Sequence, residues 1–168
     1  YGETFTVPNG VFPEEGARIK NFQEPERLMS TSAGNPQGVV RIVDEPDVIR
    51  RKFKTAVTDS GREIHHDPAM KPGISNLIEI MSVATGEPID AIEGHYDGTG
   101  YGQFKEDVGE AVVALFAPIQ ERYRHLRADE GELRRLLAVG AQKARAASAP
   151  TIDAMYDRMG FARLPERS

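Results

Sequence analysis

The sequence predicts a mainly α protein: a long helical part, residues 44–168, preceded by a small α/β segment, residues 1–43. Three observations carry this. From Ile49 onward, apolar residues recur at three- and four-residue steps, the spacing of one helix face. Pro, Asp and Gly punctuate that stretch where helices start and stop. Before Asp44 the chain offers only short β-branched or aromatic runs and one long polar stretch without periodic apolar residues.

Element by element, Thr4–Val7 has strand composition and ends in the turn residues Pro8-Asn9-Gly10, and Ala17–Phe22 reads as a second short extended piece. Gln23–Gly38 reads as a loop. Asp44 is the expected N-cap of the first helix, with Pro46 and Asp47 in its first turn; Ile49, Phe53, Ala56 and Val57 face inward, Arg50, Arg51, Lys52 and Lys54 outward, and Thr58–Gly61 ends it. Pro72-Gly73 opens a helix carrying Ile74, Leu77, Ile78, Met81 and Ala84, closed by Gly86. Pro88 starts a short helix with Ile89, Ile92 and Tyr96, and Gly98–Gly102 turns into the longest one. That helix runs Phe104, Val108, Ala111, Val112, Leu115, Phe116, Ile119, Tyr123 and Leu126 along one stripe, with Pro118 expected to kink it. Leu133, Leu136, Leu137, Gly140 and Ala144 mark another helix. Pro150 begins or bends a last one, with Ile152, Met155, Tyr156 and Met159 inward and Gly160 at its end.

The composition is that of an ordinary globular chain, with 39% hydrophobic and 28% charged residues, which excludes wholesale disorder. No apolar run approaches the length of a membrane span. Zero Cys excludes a disulfide framework, a thiolate metal site and a Cys nucleophile, and makes the reducing cytoplasm the default compartment. A net charge of −5 argues against non-specific nucleic-acid binding while leaving room for a local basic face. The chain opens at Tyr1 without Met and reads as part of a longer protein.

Residue by residue, no self-contained active site emerges. His65, His66, His95 and His125 show no i, i+4 pairing and no metalloprotease pattern, so surface positions are their simplest reading. Gly98, Gly100 and Gly102 follow a helix rather than a strand, which suits a tight turn and not a dinucleotide loop. Leu28-Met29-Ser30-Thr31-Ser32 is different in kind: small hydroxyl residues on a polar loop can offer O–H and backbone N–H groups to phosphate oxygens, though the pattern alone also fits a solvated linker.

Several blocks in this order resemble bacterial tryptophanyl-tRNA synthetases. Gly16-Ala17-Arg18-Ile19 precedes Met29-Ser30-Thr31-Ser32 as a Gly-Ala-Arg segment precedes the second class I signature, Lys-Met-Ser-Lys-Ser. Ala56–Ser60, Lys71–Leu77, Gly100–Lys105, Pro118–Tyr123 and Met155–Phe161 are similar to further blocks of that family. Practically the whole chain is covered.

The resemblance implies the C-terminal half of such an enzyme. Residues 1–43 would be the tail of a Rossmann-like catalytic domain including the signature loop 28–32, and residues 44–168 a helical anticodon-binding domain. It implies ATP with Mg2+, tryptophan and tRNA(Trp) as partners of the full-length enzyme, a cytoplasmic setting and, in the family, a homodimer. Leu28, Met29, Ser30, Thr31 and Ser32 occupy the loop that closes over ATP, and Ile19 the position that meets adenine. Catalysis there is positioning and charge stabilisation on the departing pyrophosphate. Both signature lysines are replaced, by Leu28 and Thr31; either Arg27 substitutes or the stabilisation is weaker. No His-x-Gly-His signature is present, so this stretch alone is expected to lack adenylation activity. Arg51 and Lys54 are the candidate RNA contacts.

Overall fold

The computed structural model describes residues 1–13, 16–30, 32 and 35–162. Among them five α-helices form: α1 (Pro46–Lys54), α2 (Pro72–Thr85), α3 (Ile89–His95), α4 (Tyr101–Ala128) and α5 (Glu130–Met159), with a 3-10 turn at Pro36–Gly38. Thr4–Val7 joins no ladder, and the extended character expected of Ala17–Phe22 is reduced to one antiparallel bridge between Lys20 and Leu28. Among its described residues the mixed N-terminal segment is thus held by isolated backbone pairing and by contacts to helices, not by a sheet.

Two compact units divide the chain: Phe12–Tyr123, and Tyr1–Val11 with Arg124–Ser168. In the first, the core gathers Phe22, Ile49 and Phe53 with Ile74, Leu77 and Ile78 of α2, Ile92 of α3, and Phe104, Val108 and Val112 of α4. Phe22 and Phe53 pack ring to ring at 4.7 Å, and Tyr96 meets Phe104 edge-on at 4.8 Å. This is the helical stripe the periodicity predicts, with its main departures at the end of α1 and along the second half of α4.

The N-cap of α1 is Glu45, not Asp44. Asp44 is otherwise engaged: its carboxylate accepts from the Lys52 ammonium at 2.6 Å and from the Arg41 backbone N–H at 2.9 Å. Lys52, expected on the solvated face, is buried, and also donates to the Val39 carbonyl at 2.7 Å. A buried ammonium needs such partners because desolvation otherwise penalises its charge. The helix stops at Lys54, short of Thr58–Gly61. Val57, expected inward, is therefore 44% exposed, and its backbone N–H donates to the Phe22 carbonyl at 2.7 Å.

α2 is the most deeply set element, with Gly73 through Ile78 continuously buried. Its second residue has to be glycine: a Cβ on Gly73 would stand 2.3 Å from the Val57 carbonyl oxygen. Helix α4 buries Phe104, Val108 and Val112 but leaves Leu115, Ile119 and Tyr123 between 37% and 46% exposed, so the stripe read as one core face is a core face only in its first half.

In the second unit, α5 runs through Pro150 as one helix and buries none of its described side chains. It is sustained locally. The Asp129 carboxylate caps its start by accepting from Glu132 N–H at 2.9 Å, and the ion pairs Glu130–Arg134 and Glu132–Arg135 lie one turn apart. The Arg158 guanidinium ties the N-terminal segment to this helix, donating to the Glu3 carbonyl and to Thr4 Oγ1.

Candidate functional site

The segment that carries the sequence-predicted site is built as a small hairpin. Gly16 adopts φ +71°, a conformation that L side chains rarely take, and a Cβ there would lie 2.4 Å from Val83 Cγ2. Only glycine lets the chain turn this close to α2. The hairpin is then zipped at its base: Met29 N–H donates to the Ile19 carbonyl and Asn21 N–H to the Arg27 carbonyl, both at 2.9 Å. Inside the turn, the buried Asn21 carboxamide oxygen accepts from Gln23 N–H at 2.8 Å and Glu24 N–H at 3.1 Å. Phe22 N–H donates to the Gly38 carbonyl at 3.0 Å, so both ends of the stretch 23–38 are tied together.

Against this frame the site residues divide. Ile19 and Met29 stand side by side, half-buried, and line an apolar groove of about 270 Å³ with Val40, Phe53, Val83 and Phe116. Leu28 projects outward, 53% exposed. Ser30 and Ser32 are exposed and share a hydrogen bond between hydroxyls at 2.9 Å, with Ser32 N–H also donating to Ser30 Oγ at 3.3 Å. Thr31 lies outside the described residues. Arg27, the cation next to the position where the signature has its first lysine, pairs with Glu24 at 3.0 Å.

Two further groups of residues hold the frame; they lie in the blocks Ala56–Ser60, Lys71–Leu77 and Gly100–Lys105, but the family resemblance of those blocks assigned them no role. On α2 the buried Asn76 carboxamide binds the Lys20 main chain twice: its Oδ1 accepts from Lys20 N–H at 2.7 Å and its Nδ2 donates to the Lys20 carbonyl at 3.1 Å. On α4, the Lys105 ammonium donates to the Ala56 carbonyl at 2.9 Å and to Thr58 Oγ1 at 3.0 Å, and the Tyr101 hydroxyl lies 2.9 Å from both Asp59 oxygens. Burial lowers the Lys105 pKa against a smaller opposing effect of Asp59; burial, then the Asp59 hydrogen bond, raises that of Tyr101. A signal for Asn76 existed: an amide in the apolar run Ile74–Ile78 must find partners if it is buried.

The basic face of α1 is smaller than its sequence implies. Arg50 makes a two-pronged contact with Glu110 at 2.6 and 3.0 Å and a third bond to Asp47 at 2.9 Å, which raises the Arg50 pKa and lowers that of Glu110. Lys54 sits 3.3 Å from Glu106 but stays 72% exposed, and Arg51 is exposed. His65 and His66 pair with Glu93 and Glu79, each at 3.2 Å. Among the described residues no group of three or more His, Asp or Glu side chains is arranged to hold a metal ion, and no helix is long and apolar enough to cross a membrane.

This arrangement has close counterparts. A family model described as tRNA synthetases class I (W and Y) matches residues 2–117. Tryptophan–tRNA ligase of Mycobacterium leprae is 43% identical over 167 residues, covering 99% of this chain and 48% of that protein. Tryptophan–tRNA ligase 1 of Streptomyces coelicolor is 45% identical over 162 residues, covering 96% of this chain and 47% of that protein. The crystal structure of tryptophanyl-tRNA synthetase from Mycoplasma pneumoniae superposes with a TM-score of 0.81 at 25% identity, over 89% of this chain and 45% of that one. The enzyme from Campylobacter jejuni, complexed with ADP and tryptophan, gives 0.63 at 27% identity, over 95% of this chain and 49% of that one. The chain spans about half the length of the curated relatives it matches. By its sequence blocks, its helical architecture and these matches, the chain belongs to the class I tRNA synthetases of the W and Y group.

Proposed function

We propose that this chain is the C-terminal part of a tryptophan–tRNA ligase, which joins tryptophan to tRNA(Trp) through Trp-AMP with release of pyrophosphate. The observation that carries the reading is 39–45% identity to ligases of that specificity along 96–99% of the chain. In this reading residues 1–43 end the catalytic domain and residues 44–168 supply the tRNA-binding helices. Ile19 and the 28–32 loop then serve the nucleotide. Main-chain groups and the hydroxyls of Ser30, Thr31 and Ser32 donate to its phosphates, and Mg2+ arrives with ATP. Nothing in such a site attacks covalently; its contribution is to orient phosphates and to offset charge that develops on pyrophosphate.

Tryptophan-dependent ATP–pyrophosphate exchange by the full-length protein tests this, with tyrosine as the competing substrate. Exchange with tryptophan and none with tyrosine is expected, and residues 1–168 by themselves should give no exchange. Exchange driven by tyrosine, or by neither amino acid, overturns the assignment.

One observation favours a second reading, a divergent relative with an impaired loop: Leu28 offers no donor, and Arg27 is paired with Glu24. The two readings separate on Arg27→Ala. If Arg27 stands in for the lost lysine, its removal lowers the exchange rate by about 10²–10³, the usual effect of deleting one preorganised donor. If the loop is impaired, Arg27→Ala changes nothing and Leu28→Lys raises the rate.

A further inference from the structure

Lys20 sits at the base of the site hairpin with its two edges used differently. The edge made by the Ile19 carbonyl and the Asn21 N–H pairs with Met29 and Arg27 of the returning strand. The opposite edge, the N–H and carbonyl of Lys20 itself, faces α2, which has no backbone groups to spare because a helix consumes its own. Asn76 fills that role. Its side-chain amide presents its oxygen and one of its two N–H groups in the geometry of a peptide group, and it meets Lys20 as a neighbouring strand would, at 2.7 and 3.1 Å.

An amide buried to 3% exposure among Ile74, Leu77 and Ile78 is costly unless bonded, and among the described residues its hydrogen-bond partner is Lys20 alone. A leucine would suit the packing of α2 but not the main chain of Lys20. Glutamine carries the same groups one methylene further out. Beside the clamp lies a cavity of about 350 Å³ lined by Pro25, Pro72, Ser75 and Glu79, through which water would reach Lys20 if the amide were removed.

We infer that Asn76 is a positioning residue for the nucleotide step: it locks Lys20 to the most deeply buried helix and so fixes where Ile19 and Met29, one at each side of the hairpin base, present themselves to ATP. The inference rests on the ligase reading. It assigns Asn76 no contact with substrate. Its action is on the base from which the loop closes, so its loss should weaken ATP capture and leave the amino-acid site alone.

The test uses the full-length protein with Asn76→Ala, and Ile92→Ala as a core truncation of α3 away from the hairpin. Pyrophosphate exchange is measured as a function of ATP and of tryptophan, and amide hydrogen exchange is followed at Lys20 and Met29. Asn76→Ala should raise the KM for ATP about tenfold, the usual size of one lost buried hydrogen-bond partner, with the KM for tryptophan unchanged. It should also speed exchange at Lys20 and Met29 about tenfold. Ile92→Ala should lower the melting temperature and do neither. An unchanged KM for ATP in Asn76→Ala, or an equal rise in Ile92→Ala, overturns the proposal. Should the parent protein catalyse no exchange at all, the ligase reading falls, and the amide arm decides the clamp: unchanged exchange at Lys20 and Met29 overturns it.

Discussion

Lys52 and Tyr96 show how single side chains in this fold are governed by what surrounds them. Lys52 belongs to a run of four basic residues within five positions, yet it is buried against Asp44 and the Val39 carbonyl. Lys52→Ala would leave a half-buried carboxylate unpaired and is expected to cost about 3 kcal/mol, the scale for breaking a buried pair. Arg51→Ala on the exposed side should stay within about 0.5 kcal/mol. Urea unfolding of the two variants measures the contrast. Burial, then Asp107, pushes the Tyr96 phenol up to about 12 from an ordinary value of 10.0. A raised folded-state value means that the stabilisation is complete below pH 10 and is lost as pH climbs through about 12. Alkaline titration should therefore show a late tyrosinate component that coincides with loss of helical circular dichroism, and Tyr96→Phe should diminish it, leaving the part that belongs to Tyr101, whose phenol is also raised.

At the scale of elements, α2 and α5 are opposites. Helix α2 is 14 residues long and buries nine of them, whereas α5 is 30 residues long and buries none. Most helical stability in proteins comes from packing an apolar face, so the longer helix is the weaker one. Amide exchange should be slowest in α2 and faster by orders of magnitude in α5, where the Asp129 cap contributes about 1 kcal/mol and surface ion pairs a few tenths each. Comparable protection in the two would contradict this. Helix α2 also sets the path of its neighbours through Gly73. Gly73→Ala should destabilise by about 1–3 kcal/mol, since the added methyl would press on the Val57 carbonyl, a backbone atom that cannot swing aside. Thermal unfolding reports the loss, and exchange at Val57 N–H, which donates to Phe22, should rise with it.

For the molecule as a whole, charge is unevenly placed. Between Arg41 and Lys71 seven basic residues stand against six acidic ones, a net of +1, while the remainder carries −6. Burial of Lys52 and the pairing of Arg50 with Glu110 leave Arg51 and Lys54 as the outward cations of α1. If this is the RNA face, Arg51→Ala with Lys54→Ala should weaken tRNA binding at low salt and flatten its salt dependence. The log–log slope should fall by roughly 0.7–0.9 for each phosphate that is no longer neutralised. Binding by the full-length protein across a salt series checks it. An unchanged slope places the RNA surface elsewhere.

What the sequence by itself determined is local or repetitive: the helical character of 46–160, the boundaries at Pro72, Gly86 and Gly160, the inward Ile49, Phe53, Leu77 and Val108, and the family blocks. Each follows from a period of 3.6 residues or from a backbone constraint within one turn, and neither depends on a distant partner. Only the tertiary structure decided the rest. It drew Asp44 away from the cap to Lys52 and ended α1 before Val57. It also left the second half of the α4 stripe exposed and set Asn76 against Lys20, 56 positions away in the chain. The physical reason is the same in each case. Burial and hydrogen-bond satisfaction depend on which chain segments meet, and a pattern along one helix records which face is apolar but not what stands opposite it.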